Sequence, residues 1–477
     1  MTAARQDGDT AMDMTNPDNP APSDAGTTEA TSTCGPGHEA ASVVETRPEA
    51  APPLAASVVS PPRPEPISRA FDSMRFAISA LCIGFICLGA FWRLVDLDYP
   101  RTFSFDEHHF VRNARNYIIG AADWNDHPPL GKLVLVPAMK IFGDRGLGWR
   151  LSSALFGLAM VGLIGLIAAK IFRDRTVGLL AAAFVAVDGF FLSYARTALI
   201  DNPLTAFIYA ALALMLYARS LAWFVWAAVG VGLAVSSKWT GVCVLLLAPI
   251  LLRKKGHSIF HVAWMFAVAS AVYLAVGAFA LKLTHQPIAM DGMMRTNWDL
   301  LRHHAGFTVW DNAGSSKWYT WLVLTHPLVM HFERIGPNAV RATSTIGNLL
   351  LWFGTTACLL LALVGLVRAA WRWLHTRVAI APEHGRDALV LAGMLALMAP
   401  FILTHRQSYI FHYLGAYGLG LGLLASRIAR LERRSAAAVV GFLVCTAVVS
   451  FIYLPLWTGS VLTPHGFELR LPFPGWR

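Results

Sequence analysis

The sequence predicts an all-α protein that crosses a membrane many times. Hydrophobic residues make up 55% of the 477-residue chain and charged residues only 14%, whereas soluble domains carry about 25% charged residues. Mean hydropathy is +0.50. Apolar runs recur along most of the length, too long and too frequent for the cores of soluble domains. A net charge of +10 would suggest nucleic acid in a soluble protein. Here the basic residues collect between the apolar runs, which points to lipid headgroups and topology and to no nucleic-acid partner.

Residues 1–70 are of a different material. Ala, Pro, Thr, Ser, Asp and Glu dominate, and no aromatic residue occurs before Phe71. Such a segment buries too little apolar surface to offset its ordering entropy, so a disordered tail is expected. No apolar core follows a basic start, so it does not read as a signal peptide. Residues 71–455 then form the multi-span domain. Apolar runs lie near 76–92, 151–171, 177–191, 203–217, 222–235, 241–252, 259–281, 346–367, 388–403, 410–425 and 436–454. These predict about eleven transmembrane helices, several of them short. Two long polar stretches, 96–150 and 282–345, interrupt them, and residues 456–477 form a C-terminal tail.

Charge orients the spans. With the N-terminal tail cytoplasmic, the inner loops hold Lys170, Arg173 and Arg175, then Arg219, then Arg253 to Lys255, then Arg368 to Arg386, then Arg427 to Arg434. The alternate short loops carry isolated charges, as the positive-inside rule requires. Both long polar stretches and the C-terminus then fall outside a plasma (inner) membrane. Cys82, Cys87, Cys243, Cys358 and Cys445 sit inside apolar runs and Cys34 in the tail, without metal-ligand spacing, and read as small apolar fillers. No internal repeat of the inverted transporter kind is visible.

Chemistry concentrates behind the first span, in Phe105-Asp106-Glu107-His108-His109-Phe110. Ionisable groups beside lipid are costly and mark substrate paths or catalytic sites. Asp106 reads as the N-cap of a helix starting at Glu107; a solvated loop acid or a helix-terminal acid is the plainer alternative. About twenty residues later comes His127-Pro128-Pro129-Leu130-Gly131-Lys132. Two prolines stiffen that turn, Gly131 permits close backbone approach, and Lys132 can meet a phosphate or snorkel to headgroups. Arg406, in the short Thr-His-Arg-Gln loop, is a further candidate cation for a phosphate.

These motifs, in order, resemble the protein O-mannosyltransferase family. The resemblance continues through Trp149-Arg150-Leu151-Ser152-Ser153, Val187-Asp188-Gly189, Arg196 with Asp201, Ser237-Lys238-Trp239-Thr240-Gly241, Ser315 to Trp321, Ile346 to Trp352 and Phe411-His412-Tyr413, covering about residues 75–455. It implies a GT-C glycosyltransferase that moves mannose from a polyprenyl-phosphate-mannose lipid to Ser or Thr hydroxyls of secreted or membrane proteins, met as they leave the secretion translocon. Asp106 would be the catalytic base and Glu107 its acidic neighbour. His127, Arg150 and Lys238 would lie near the donor and its phosphate, and His304 in the acceptor cleft.

The chemistry agrees with these roles. A carboxylate activates a weak hydroxyl nucleophile by accepting its proton, and cations stabilise the charge that develops on the leaving phosphate. One base with in-line displacement gives inversion; on a helix Glu107 points about 100° away from Asp106. Where family members commonly carry His-Pro-Tyr, this chain has Asn312-Ala313-Gly314. The second polar stretch also lacks the long insertion of eukaryotic members, so a bacterial member is expected. No cofactor is required, although Asp106 and Glu107 together offer a divalent cation two carboxylates. Competing readings are a lipid-linked-sugar transferase acting on lipid A, a cell-wall glycan or another lipid, and a transporter or membrane scaffold.

Overall fold

The computed structural model describes residues 66–122, 124–306, 314–404 and 407–476, with side chains from residue 73 onward. The chain divides into two units, Met1–Arg63 and Pro64–Arg477. The first lies outside the described residues, and with it the expectation of a disordered tail.

Among the described residues the second unit is helical with one small hairpin. After α1 (Pro66–Leu94) come three short helices, α2 (Glu107–Ile119), α3 (Leu130–Leu133) and α4 (Val136–Phe142). The bundle continues with α5 (Gly146–Phe172), α6 (Arg175–Val187), α7 (Gly189–Ala195), α8 (Asp201–Tyr217), α9 (Leu221–Ser237), α10 (Ala248–Lys254) and α11 (His261–Leu283). The amphipathic α12 (Met290–Ala305) and the antiparallel strands β1 (Val329–Gly336) and β2 (Ala339–Ser344) follow. Four long helices, α13 (Leu349–Thr376), α14 (Pro382–Leu403), α15 (Leu414–Glu432) and α16 (Ala436–Thr458), precede the short α17 (Pro464–Arg470).

Every apolar run of the sequence falls on helical backbone. By length and composition, six helices among the described residues are able to cross a membrane, and seven if α6 and α7, bent by 61°, count as one broken span. The others are shorter or carry more charge, so the eleven runs are not eleven full-length spans. The hairpin was not expected. It turns on Pro337-Asn338 inside the stretch read only as polar, and is held at its end by Val340 and Leu462, which exchange backbone hydrogen bonds.

The α6–α7 break is tied to the helices around it. Asp188 caps α7, its Oδ1 accepting from the Phe190 and Phe191 N–H groups. Its Oδ2 accepts from the Asn348 N–H and the Tyr417 hydroxyl, so one buried carboxylate joins α7 to the start of α13 and to α15. Gly189 follows because a Cβ there would stand 1.8 Å from the Trp457 ring. Two buried arginines cap the neighbouring helix ends. Arg93 of α1 donates to the Val185 and Ala186 carbonyls at the end of α6. Arg196 donates to Trp92, Val95 and Asp96 carbonyls at the end of α1. Each cation meets carbonyls that have no partner within their own helix, where the helix dipole is negative.

Asp188→Ala removes a cap and orphans two buried donors, a loss of about 3 kcal/mol. Its thermal unfolding in detergent should fall well below wild type, and Asp188→Asn, which keeps the cap acceptor, should fall less. Equal unfolding temperatures for all three would show that the carboxylate does not hold the break.

Candidate active site

Leaving α1, the chain makes a tight loop before α2, with Asp96 and Phe105 at φ of 49° and 46°. A left-handed aromatic residue is uncommon and costs backbone energy. At Phe105 the loop is held by its N–H donating to the Met330 carbonyl at 3.0 Å. Its ring packs edge-on against Tyr409 and Phe411. This turn delivers Asp106 to the N-terminus of α2, as the sequence reading expected, although its carboxylate makes no capping bond.

Glu107 and Arg150 are brought together, both 0% exposed. Arg150 donates from Nε to Glu107 Oε1 and from Nη2 to Oε2, each at 2.7 Å. Its remaining N–H groups go to the Leu97, Pro100 and Thr102 carbonyls. All five guanidinium donors are therefore engaged. Glu107 also accepts from the Ser104 and Ala198 N–H groups, at 2.8 Å each. Both side chains are thus buried with their polar atoms occupied. The expectations that Arg150 holds the donor phosphate and that Glu107 is catalytic do not fit this geometry, in which both side chains are engaged by the scaffold. With Glu107 so occupied, Asp106 and Glu107 do not together offer a cation two open carboxylates, and among the described residues no group of three or more His, Cys, Asp or Glu is placed to hold a metal.

Asp106 has different company. Asp201, at the start of α8, accepts from Lys238 Nζ at 3.0 Å, and Lys238 lies over the Phe411 ring at 4.9 Å. Burial, and next the negative charge of Asp201, push the Asp106 carboxyl up to about 6, with His108 and Lys238 opposing. Asp201 was visible in the sequence as the last residue of Arg196-(x)4-Asp201, but its pairing with Lys238 across 37 positions was not.

The remaining candidates divide. Lys132 is fully buried and donates to the His127 and Pro128 carbonyls, with Asp126 at 3.8 Å. Burial pushes its ammonium down to about 8. It ties its own turn together rather than reaching outward. Gly131 fits the expected close approach, since a Cβ would meet Ile200 at 2.6 Å. The His127 ring packs on Phe110 and on His304, and His304 on Trp239. The two polar stretches thus meet beside Lys238. Arg406 and the Asn312-Ala313 pair lie outside the described residues.

Arg150→Lys keeps the charge and loses the fork, leaving buried acceptors unmet at a cost of about 2–4 kcal/mol. The unfolding temperature and turnover should fall while the KM for the lipid donor stays within about twofold. A normal unfolding temperature with a tenfold higher donor KM would return Arg150 to the phosphate.

Residues 84–284 match the family described as dolichyl-phosphate-mannose-protein mannosyltransferase. Residues 289–476 match the C-terminal four-span region of protein O-mannosyltransferases. The polyprenol-phosphate-mannose–protein mannosyltransferase of Mycobacterium tuberculosis is 27% identical over 431 residues, covering 74% of this chain and 81% of that protein. The Mycolicibacterium smegmatis protein of the same name is 26% identical over 507 residues, covering 88% and 96%. The Saccharomyces cerevisiae protein O-mannosyltransferase Pmt1-Pmt2 complex bound to the sugar donor shares the fold, with a TM-score of 0.74 at 15% identity over 86% of this chain and 94% of the matched one. Matched in order across both halves, this chain belongs to the protein O-mannosyltransferase family, with the GT-C fold.

Proposed function

We propose that this protein transfers mannose from a polyprenyl-phosphate-mannose lipid to Ser or Thr hydroxyls of proteins, with inversion at the anomeric carbon. The observation that carries the reading is Asp106, open beside the Asp201–Lys238 pair and raised toward neutral pH. In the reaction the acceptor oxygen bonds to C1 of the sugar as the C1–O bond to phosphate breaks. The hydroxyl proton passes to Asp106, and the phosphate leaves with the bonding pair. Lys238 stabilises the charge that grows on it. Inversion is supported because the adjacent carboxylate, Glu107, is locked onto Arg150 and is not available as a nucleophile. His304, packed against His127, belongs to the acceptor side.

The distribution of basic loops supports an inner-membrane protein with its N-terminus in the cytoplasm and the site outside, where proteins emerging from the translocon would meet it. In this reading residues 1–70 form a cytoplasmic tail, 71–455 the transferase and 456–477 an external tail.

Purified Asp106→Asn given radiolabelled polyprenyl-phosphate mannose should lose about 10²–10⁴-fold in rate. The wild-type rate should fall with pH through about 6, because the base works only when deprotonated. Asp201→Asn removes the charge that raises Asp106 and frees Lys238 to lower it, so that limb should move to lower pH. Wild-type turnover by Asp106→Asn, or label entering lipid or glycan instead of protein, would overturn the reading.

Reporters fused after Arg477 test the topology. A periplasm-active reporter should work and a cytoplasm-active one should not, and the reverse result would put the site on the cytoplasmic face.

A further inference from the structure

Beside the site, between α2, α11 and α12, lies a cavity of about 500 Å³, within the size range of ligand sites. None of the catalytic roles above uses it. Its lining is unusual in carrying five carboxamides, Asn113, Asn116, Asn125, Gln286 and Asn297. Each carboxamide offers two donors and an oxygen with two lone pairs. Asn113 donates to the Trp124 carbonyl and Tyr117 to Asn125 Oδ1. Tyr273 donates to Asn297 Oδ1. Rings of Tyr117 and Trp124 supply flat apolar faces, and Asp299 the single charge. His127 lines the cavity, and its ring lies against that of His304.

Distance selects the occupant. Asn113 stands seven residues beyond Asp106 on α2, about 10 Å along the axis, and Asn116 about 15 Å. A sugar being transferred must lie within hydrogen-bond reach of the base, so the cavity is too far away to hold it. An extended polypeptide advances about 3.3 Å per residue and covers the same distance in three to five residues. Its backbone presents one N–H and one C=O per residue, groups that carboxamides match without regard to side chain.

We propose that this cavity is a subsite for extended polypeptide backbone, taking the acceptor residues three to five positions to one side of the accepting hydroxyl. The inference rests on the protein-acceptor reading above. Recognition through carboxamides selects an unfolded, extended segment rather than a sequence.

The test uses the full chain in lipid nanodiscs, radiolabelled polyprenyl-phosphate mannose, and end-capped peptides with one Thr and zero to five Ala or Gly residues on each side. In wild type kcat/KM should rise by about tenfold once one flank reaches three to five residues, the yield of one or two added hydrogen bonds, and then level off. Thr296 is exposed on the cavity wall, and Thr296→Trp, which fills the space, should bring the long-to-short ratio to within about twofold of unity. Asn116→Ala should lower that ratio by a smaller factor. A misfolded variant loses both rates together and leaves their ratio alone, so the ratio and the wild-type series are the readouts. Flank-independent wild-type rates, a ratio unchanged in both variants, or competition by free mannoside but not by a Thr-less peptide would each overturn the subsite. Label reaching no peptide of any length would instead overturn the protein-acceptor reading itself.

Discussion

The ion pair between Glu107 and Arg150 is the constraint on which the site is built. Burying two opposite charges carries a desolvation penalty of several kcal/mol per ion, which only excellent geometry and additional hydrogen bonds offset. Both conditions hold here. The guanidinium meets the carboxylate fork to fork, and its other donors take three carbonyls of one loop, those of Leu97, Pro100 and Thr102. The carboxylate takes the Ser104 N–H from the same loop and the Ala198 N–H from the segment after α7. One buried pair therefore fixes the loop from α1, the start of α2, the start of α5 and the chain leading to α8. Asp106 stands beside that anchor, and a residue whose neighbour is immobilised in this way has little freedom of its own.

Two adjacent acids thus take opposite parts. Glu107 gives every lone-pair direction to the scaffold, whereas Asp106 gives none to its helix cap and stays open. The same division runs through the cations. Arg93, Arg196 and Arg150 are all turned onto backbone carbonyls, where a planar fork with several donors is well matched. Lys132 is turned onto its own loop. Lys238, a compact charge, pairs with the Asp201 carboxylate and lies over the Phe411 ring. Among these buried cations the three arginines serve the scaffold.

Much of this was legible in the sequence, and the exceptions share a cause. Apolar runs located the bundle helices but not α3, α4, α12 or α17, and motif order named Asp106, Lys238, His127 and His304 as candidates for one site. Pairing was not legible. Arg150 opens an apolar run, and from the sequence alone its position suggests an interfacial anchor or a phosphate ligand. In the fold, α5 begins earlier, at Gly146, which puts Arg150 a turn inside the helix and beneath the loop. Lys132 follows a stiff His-Pro-Pro turn that in sequence suggests outward presentation, yet the turn curls back and its carbonyls take the ammonium. Composition separates β1 and β2 poorly from the surrounding polar stretch, and only the Gly336-Pro337-Asn338 turn marks them. Each of these errors concerns a partner remote in sequence or a turn of the backbone, which periodicity does not encode.

In the proposed reaction the charges give a reason for Asp106 to sit beside a salt bridge rather than a lone cation. An isolated Lys238 would hold Asp106 as a carboxylate of low proton affinity, a poor acceptor for a hydroxyl proton. Asp201 offsets that effect while leaving the ammonium in place, and burial raises the Asp106 carboxyl further, to about 6. In the proposed reaction Asp106 loses its negative charge as it takes the proton, and the departing phosphate gains one. The total charge of the site does not change; negative charge moves from the carboxylate to the phosphate oxygen. Lys238 interacts with both ends of that movement, so its attraction is transferred rather than created as the bond breaks. The fixed partner Asp201 keeps the ammonium from following either anion, which is what a preorganised electrostatic site requires.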